Sequence, residues 1–291
     1  MFSLLRNLFG GGAKRQTCVN VKERFKILGK SSMGSMSKVF RAEDKKLKKI
    51  VCLKILDKEK TAKFEARFPG LKKPSEGEIS IALKHPHIVE TFEIGQTTDG
   101  ESYLVQEWVD GNLLHNLVEA NNVQLDGRRI LFLAQIADAI QHVHDQKFLH
   151  RDICPRNVIV TAKHQCKLID FGLTVPYTPD FCKPGNRTGT VQYIAPEIIK
   201  RMSTDHRIDL YALGVTAYEI FTGDLPWGRA ESMDTLMSHM NHPPADPREH
   251  RPDLDEPTVK FLLKCVERDV NKRFQTAAEF RDTVKKLPKK W

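Results

Sequence analysis

Between Phe25 and Val109 short stretches alternate apolar with polar positions, are rich in β-branched and aromatic side chains, and are broken by turn residues, a pattern that predicts strands. Val51, Cys52, Leu53 and Lys54 form one such stretch and aim a lysine to one side. Lys45, Lys46, Lys48 and Lys49 stand where two strands should turn, and read as a solvated hairpin. Tyr103 to Val109 is a last short apolar strand that runs into Asp110 and Gly111. From Asn112 onward the period changes. Ile130, Leu131, Leu133, Ala134, Ile136, Ala137, Ile140 and Val143 recur at helical steps, so an α+β chain is expected, strands first and helices after.

One helix interrupts the strands. Ser75 and Glu78 match a capping box and predict a helix running through Leu83 to the loop His85, Pro86, His87, Ile88, Val89. Pro69 and Pro74 bar a longer helix upstream, and Gly77 weakens what remains, so a short and easily displaced helix is expected.

The 291 residues, 40% hydrophobic and 29% charged, suffice for one large or two medium globular domains. No apolar run reaches the roughly eighteen residues that a membrane span needs. The net charge of +9 is spread along the chain rather than gathered with aromatics, so no nucleic-acid partner is expected, although the field favours acidic partners or substrates. Six cysteines without a Cys-x-x-Cys pair suggest reduced thiols in a cytoplasm rather than zinc or disulfides. Met1 to Phe9 sets Phe2, Leu4, Leu5, Leu8 and Phe9 around Arg6, which fits a frayed terminus as well as a weak peripheral membrane contact. His142 and His144 are two apart on a helix, do not face one another, and read as satisfied or solvent-facing rather than metal-binding.

The chemistry is concentrated in two motifs. His150, Arg151, Asp152, Ile153, Cys154, Pro155, Arg156 and Asn157 are followed, thirteen residues after Asn157, by Asp170, Phe171 and Gly172. A base and two oxygen ligands for a hard cation thus occur in the order that phosphoryl transfer from MgATP requires. The arrangement resembles the eukaryotic-type serine/threonine protein kinase family, with some likeness to its bacterial members, from about Phe25 to about Lys286.

The resemblance implies a bilobal fold, with a flexible segment over residues 1–20, a small β-rich lobe and hinge over 21–109 carrying one regulatory helix, a larger helical lobe over 110–286, and a basic tail over 287–291. It implies transfer of the ATP γ-phosphate to Ser or Thr hydroxyls of protein substrates, with Mg2+ (or Mn2+) as the ion and the cytoplasm as the place. Asp152 would take the acceptor's proton, and Asn157 and Asp170 would hold the metal. Lys54 would hold the α and β phosphates and pair with Glu76, or with Glu78 as the alternative. Gly29, Ser31 and Gly34 would belong to the glycine-rich hairpin, in which Ser31 replaces a glycine and Met36 the usual valine. The Glu107 carbonyl and the Val109 amide would bond adenine, with Gln106 at the back of that pocket. Thr190, in Gly189 to Tyr193, would bond Asp152. Thr188 is the first candidate for an activating phosphate beside Arg151, with Thr174 and Thr178 behind it. Asp209 would brace the catalytic loop, and Arg273 would pair with Glu197.

One position departs from the family pattern. Cys154 stands where these kinases commonly carry a lysine, and Arg156 is the cation that could replace it. The resulting alternative to an active enzyme is a pseudokinase that binds ATP or serves as a scaffold. Oligomeric state and substrate identity are left open by the sequence.

Overall fold

The computed structural model describes residues 18–33, 37–185, 188–229 and 233–291. Met1 to Phe9, Gly34 and Met36 lie outside them. The chain divides into two compact units. One runs to Lys84 and resumes over Val89–Val109; the other takes His85–Ile88 and Asp110–Trp291.

Among the described residues the first unit is built on a six-stranded sheet, ordered β1 (Cys18–Val19), β5 (Thr91–Thr97), β6 (Ser102–Glu107), β4 (Lys49–Leu56), β3 (Ser37–Asp44) and β2 (Phe25–Met33). Alternation sends Phe25, Ala42, Val51, Leu53, Tyr103 and Val105 into one core. A charged cluster that sequence reading did not single out pins the sheet's start. Arg24 grips Asp44 at 2.7 and 3.0 Å and also bonds Glu93, which accepts further bonds from Lys46 at 2.6 Å and Tyr103 at 2.8 Å. The lysine-rich turn is thereby tied to β5 by Lys46 rather than left wholly to solvent.

Among the described residues three helices belong to this unit: α1 (Val21–Arg24), α2 (Lys58–Glu65) and α3 (Glu76–Ala82). α2 falls where the sequence reads mainly as strands; Asp57 caps it by accepting the Lys60 amide at 3.1 Å. α3 starts at the expected capping box, with Glu78 accepting the Ser75 amide at 2.8 Å and Ser75 Oγ accepting the Glu78 amide at 3.2 Å. Gly77 has a packing role: a Cβ there would meet Ile94 at 3.0 Å, so the missing side chain lets α3 lie close on β5.

The second unit is helical around α5 (Arg129–Asp145) and α7 (Arg207–Thr222), the latter buried from Ile208 to Phe221. β7 (Gly111–Leu113) and α4 (Leu114–Glu119) precede α5, and between α5 and α7 lie β8 (Phe148–Leu149), the hairpin β9 (Val158–Thr161) and β10 (Cys166–Leu168), β11 (Val175–Pro176) and α6 (Pro196–Ile199). After α7 come α8 (Met233–Asn241), α9 (Pro247–His250), α10 (Glu256–Cys265) and α11 (Ala277–Val284).

Two boundaries differ from expectation. His85–Ile88 belongs with the helical unit because Ile88 bridges Leu168, His87 Nδ1 bonds the Cys166 carbonyl at 3.1 Å, and His85 stacks on His142. Residues 287–291, expected as a basic tail, are anchored: Leu287 and Trp291 are buried, and Trp291 Nε1 donates to Asp255 at 2.8 Å with Phe221 edge-on to its ring. The aromatic end outweighs the charge of Lys289 and Lys290.

Candidate active site

In the strand-rich unit Lys54 leaves β4, and its ammonium lies 2.5 Å from Glu76 Oε1 at the first turn of α3, with both side chains more than nine-tenths buried. Glu78, the alternative partner, is committed to the capping box. Gly29 lies in β2 with open space where a Cβ would stand, and Ser31 continues the same strand. Gln106 is buried and donates to Thr91 Oγ1 at 3.0 Å, which satisfies the polar side chain at that unusual place. Glu107 ends β6 with its amide bonded to the Glu90 carbonyl at 2.9 Å. Val109 is the last residue of the same unit.

In the helical unit the loop from His150 to Asn157 hangs on Asp209 of α7. Its two carboxylate oxygens accept the backbone amides of His150 at 2.9 Å and Arg151 at 2.8 Å, while His144 Nε2 lies 2.9 Å away. Burial alone would push this carboxyl up, but the bonds from His144 and the Arg151 amide and the charge of His150 hold it below its ordinary range. The brace has a task. Arg151 is left-handed at φ 68°, as is Asp170 at 66°, conformations that cost roughly 1–3 kcal/mol each and persist only where surrounding bonds impose them.

Asp152 follows the brace. Thr190 bonds Asp152 Oδ1 twice, through its hydroxyl at 2.8 Å and its amide at 3.0 Å, and Asn157 Nδ2 donates to Oδ2 at 2.9 Å and to the Asp152 carbonyl at 2.7 Å. Gly189 makes this approach possible: at φ 120° its Cα lies so near the Arg151 carbonyl that a Cβ would come within 2.7 Å. Cys154 is buried beside Thr190, and burial and the Asp152 charge push its thiol up to about 12, so it is neutral at physiological pH. Arg156 is exposed, and its charge falls on Tyr193, Glu219 and His115; among the described residues it makes no ion pair with Asp152.

The hairpin β9/β10 sets Asn157 beside Asp170, since the Ile169 amide donates to the Asn157 carbonyl at 2.8 Å. Phe171 is buried edge-on to His150 at 5.1 Å, and Asp170 Oδ1 accepts the Gly172 amide at 3.0 Å. Thr188 is buried and, among the described residues, its hydroxyl has no partner, and Thr174 is fully buried with Oγ1 3.5 Å from the His150 carbonyl. Neither hydroxyl is presented to solvent here. Thr178 is half-buried.

Arg273 makes a two-pronged pair with Glu197 at 2.8 and 2.9 Å, which locks the end of the segment that carries Thr190. Sequence reading missed two further buried groups below that segment. Tyr193 donates to Glu219 Oε2 at 2.5 Å, and His239 of α8 bonds the Ile194 carbonyl at 3.2 Å. Only the polarity of Glu219 and His239 inside otherwise apolar helical faces could have signalled them.

A family model described as the protein kinase domain matches residues 23–284. The chain belongs to the protein kinase family. This kinase is 28% identical over 273 residues to the serine/threonine-protein kinase pkn3 of Myxococcus xanthus, covering 88% of its own chain and 48% of that protein. It is 28% identical over 269 residues to PknB of Mycobacterium leprae (90% and 42%) and 28% identical over 268 residues to PrkC of Bacillus subtilis (91% and 40%). The kinase therefore spans less than half the length of these relatives.

Proposed function

We propose that this kinase transfers the γ-phosphate of MgATP to serine or threonine hydroxyls of protein substrates and that it is controlled through its activation segment. The observation that carries this reading is the catalytic carboxylate: Asp152 has each oxygen held by a neutral donor, Thr190 on one and Asn157 on the other, with the loop behind it fixed by Asp209. So oriented, a carboxylate can accept the acceptor hydroxyl's proton as the oxygen attacks. The relatives named serine/threonine-protein kinases support the choice of hydroxyl.

The residues fit a magnesium nucleotide. Both amide hydrogens of Asn157 are spent on Asp152, so the group it offers a ligand is a carbonyl oxygen, and the Asp170 carboxylate supplies a second hard donor. Among the described residues no group of three or more His, Cys, Asp or Glu forms a closed metal cage, which suits an ion completed by phosphate and water oxygens. When bound, that ion supplies charge neutralisation at the phosphates. Lys54, steadied by Glu76, is the lysine for the α and β phosphates, and Glu107 and Val109 are the backbone contacts for adenine. Arg156 replaces the cation that Cys154 does not provide.

Regulation follows from burial. Phosphate on Thr188 would be dianionic and could not stay where the hydroxyl now lies, so its addition would reorder the segment against the Arg151 guanidinium.

Intact-mass analysis after incubation with MgATP, beside an Asp152→Asn control, tests the reading. Phosphate gained by the wild type alone, on threonine or serine, is the expected result. No gain on the protein or on added protein substrates, despite nucleotide binding, would leave the pseudokinase.

A further inference from the structure

At the end of the activation segment the helical unit carries a groove of about 390 Å³, walled by α6, residues 202–205, the start of α7 and residues 268–271. Two of the carboxylates that line it are already paired. Glu197 has both oxygens on Arg273, and Asp205 takes Arg207 Nη2 at 2.7 Å, its Nε at 3.1 Å and its amide at 2.8 Å. Arg207 Nη1 is spent as well, on Asn271 Oδ1 at 3.1 Å and Gln275 Oε1 at 2.9 Å. The remaining carboxylate, Asp269, turns one oxygen to the Asn271 amide at 3.0 Å. Donors are left over. Among the described residues Lys200, exposed, and Arg268, half-buried, line the groove without an ion pair, and the Ser203 hydroxyl and the Asn271 side-chain nitrogen stand in the same walls. Met202, also exposed, adds an adaptable apolar contact. The groove is fixed to the activation segment on two sides: Arg273 donates to the Arg268 carbonyl at 3.1 Å while holding Glu197, and the Thr204 amide donates to the Cys182 carbonyl at 2.9 Å.

We propose that this groove docks an acidic segment of the protein substrate, with Lys200 and Arg268 taking its carboxylates. The proposal rests on the reading of the chain as a kinase that acts on proteins. With Glu197 and Asp205 neutralised by their own arginines, the two unpaired cations outnumber Asp269, so the groove is positive and rich in donors. An acidic chain brings the acceptors that these donors lack, and a guanidinium beside an ammonium is a pairing suited to carboxylates. Size favours a peptide over a small ion: the volume is more than ten times the roughly 30 Å³ that a water molecule occupies. A substrate anchored here is concentrated beside the segment that carries Thr190, without any contact to the reacting atoms. Such an anchor acts on the KM for the protein substrate and leaves kcat alone.

The test compares the full chain as wild type, Lys200→Glu, and Lys200→Glu with Arg268→Glu. Binding is read from the anisotropy of a short fluorescein-labelled peptide of Asp and Glu that has no hydroxyl residue. Activity is read as steady-state phosphorylation of dephosphorylated casein, which is acidic, and of myelin basic protein, with autophosphorylation followed by intact mass. The peptide is expected to bind wild type, more weakly as salt rises, and the double variant about ten-fold less tightly. The KM for casein should rise about five- to twenty-fold in the double variant with kcat within about two-fold, while the KM for myelin basic protein does not rise and autophosphorylation is unchanged. Lys200 is exposed, so Lys200→Glu alone, with an expected loss of about three-fold, carries the test should the double variant not fold. Equal peptide affinity, or equal KM for casein, in wild type and Lys200→Glu overturns the proposal. Displacement of the peptide by inorganic phosphate at matched ionic strength marks a small-anion site and overturns it too. A wild type that phosphorylates neither itself nor either protein overturns the kinase reading on which the docking role rests, and the peptide titration tells that failure apart.

Discussion

Thr190 donates its hydroxyl to Asp152 Oδ1 at 2.8 Å. This bond joins the segment that carries Thr188 to the carboxylate proposed as the base, so the proposed control through that segment has a direct route to it. Because the Thr190 amide reaches the same oxygen at 3.0 Å, the side chain adds direction to a contact that the backbone already makes.

Thr190→Val keeps the shape and the backbone bond and removes only the hydroxyl. We expect kcat to fall about 10- to 100-fold with the KM for ATP unchanged, and Thr190→Ser to keep most of the activity. Steady-state kinetics of the three proteins decide this; a valine variant with kcat within two-fold of wild type would remove the hydroxyl from the mechanism.

The Glu197–Arg273 pair is fully desolvated and bidentate. Removing one partner strands the other charge in the interior, so Arg273→Leu should cost about 3–5 kcal/mol of stability. Arg273 also donates to the Glu267 and Arg268 carbonyls, so Glu197→Gln, which keeps the arginine and its backbone bonds, should cost less. Urea denaturation of both variants gives the order; equal losses would contradict it.

His239 gives the fold a pH dependence of known sign. Burial drives its pKa down to about 4, while the ordinary value is 6.5, and its bond to the Ile194 carbonyl only partly opposes this. Between these values the unfolded chain holds a proton that the folded chain refuses, so stability falls as pH drops from 6.5 toward 4. The slope from this residue should approach 1.4 kcal/mol per pH unit at most, roughly, in that window. A His239→Gln variant should lose this component, seen as a flatter plot of Tm against pH; a plot parallel to wild type would exclude it.

Much of this was legible in the residues because it depends on spacing. The catalytic loop, Asp170, the capping box at Ser75 and the shift from strand to helical period are local patterns. Placement by the rest of the chain was not. His85–Ile88 is a loop between elements of one unit in sequence, yet Leu168 and Cys166 claim it for the other. Trp291 sits among lysines that read as a tail until Asp255, Phe221 and Arg251 supply its pocket. Helix α2 escaped notice because its charged residues carry almost no apolar stripe beyond Phe64. Lys54 and Glu76 were found by counting along a pattern, and the ion pair between them bears the count out.

Arg156 and Cys154 give the sharpest test of catalysis. Cys154 is buried and neutral, so the catalytic loop has one cation beyond Arg151, and it is exposed rather than seated against Asp152. If Arg156 swings to the transferring phosphate, Arg156→Ala should lower kcat about 100- to 1,000-fold, the cost of losing one charge stabiliser, with little change in ATP affinity. Adding Cys154→Lys to that variant should recover a large part of the rate, since an ammonium would then extend from the position beside Thr190. Single-turnover phosphoryl transfer measures both. An Arg156→Ala rate within a few-fold of wild type would assign the transition-state charge to Lys54 and the metal alone.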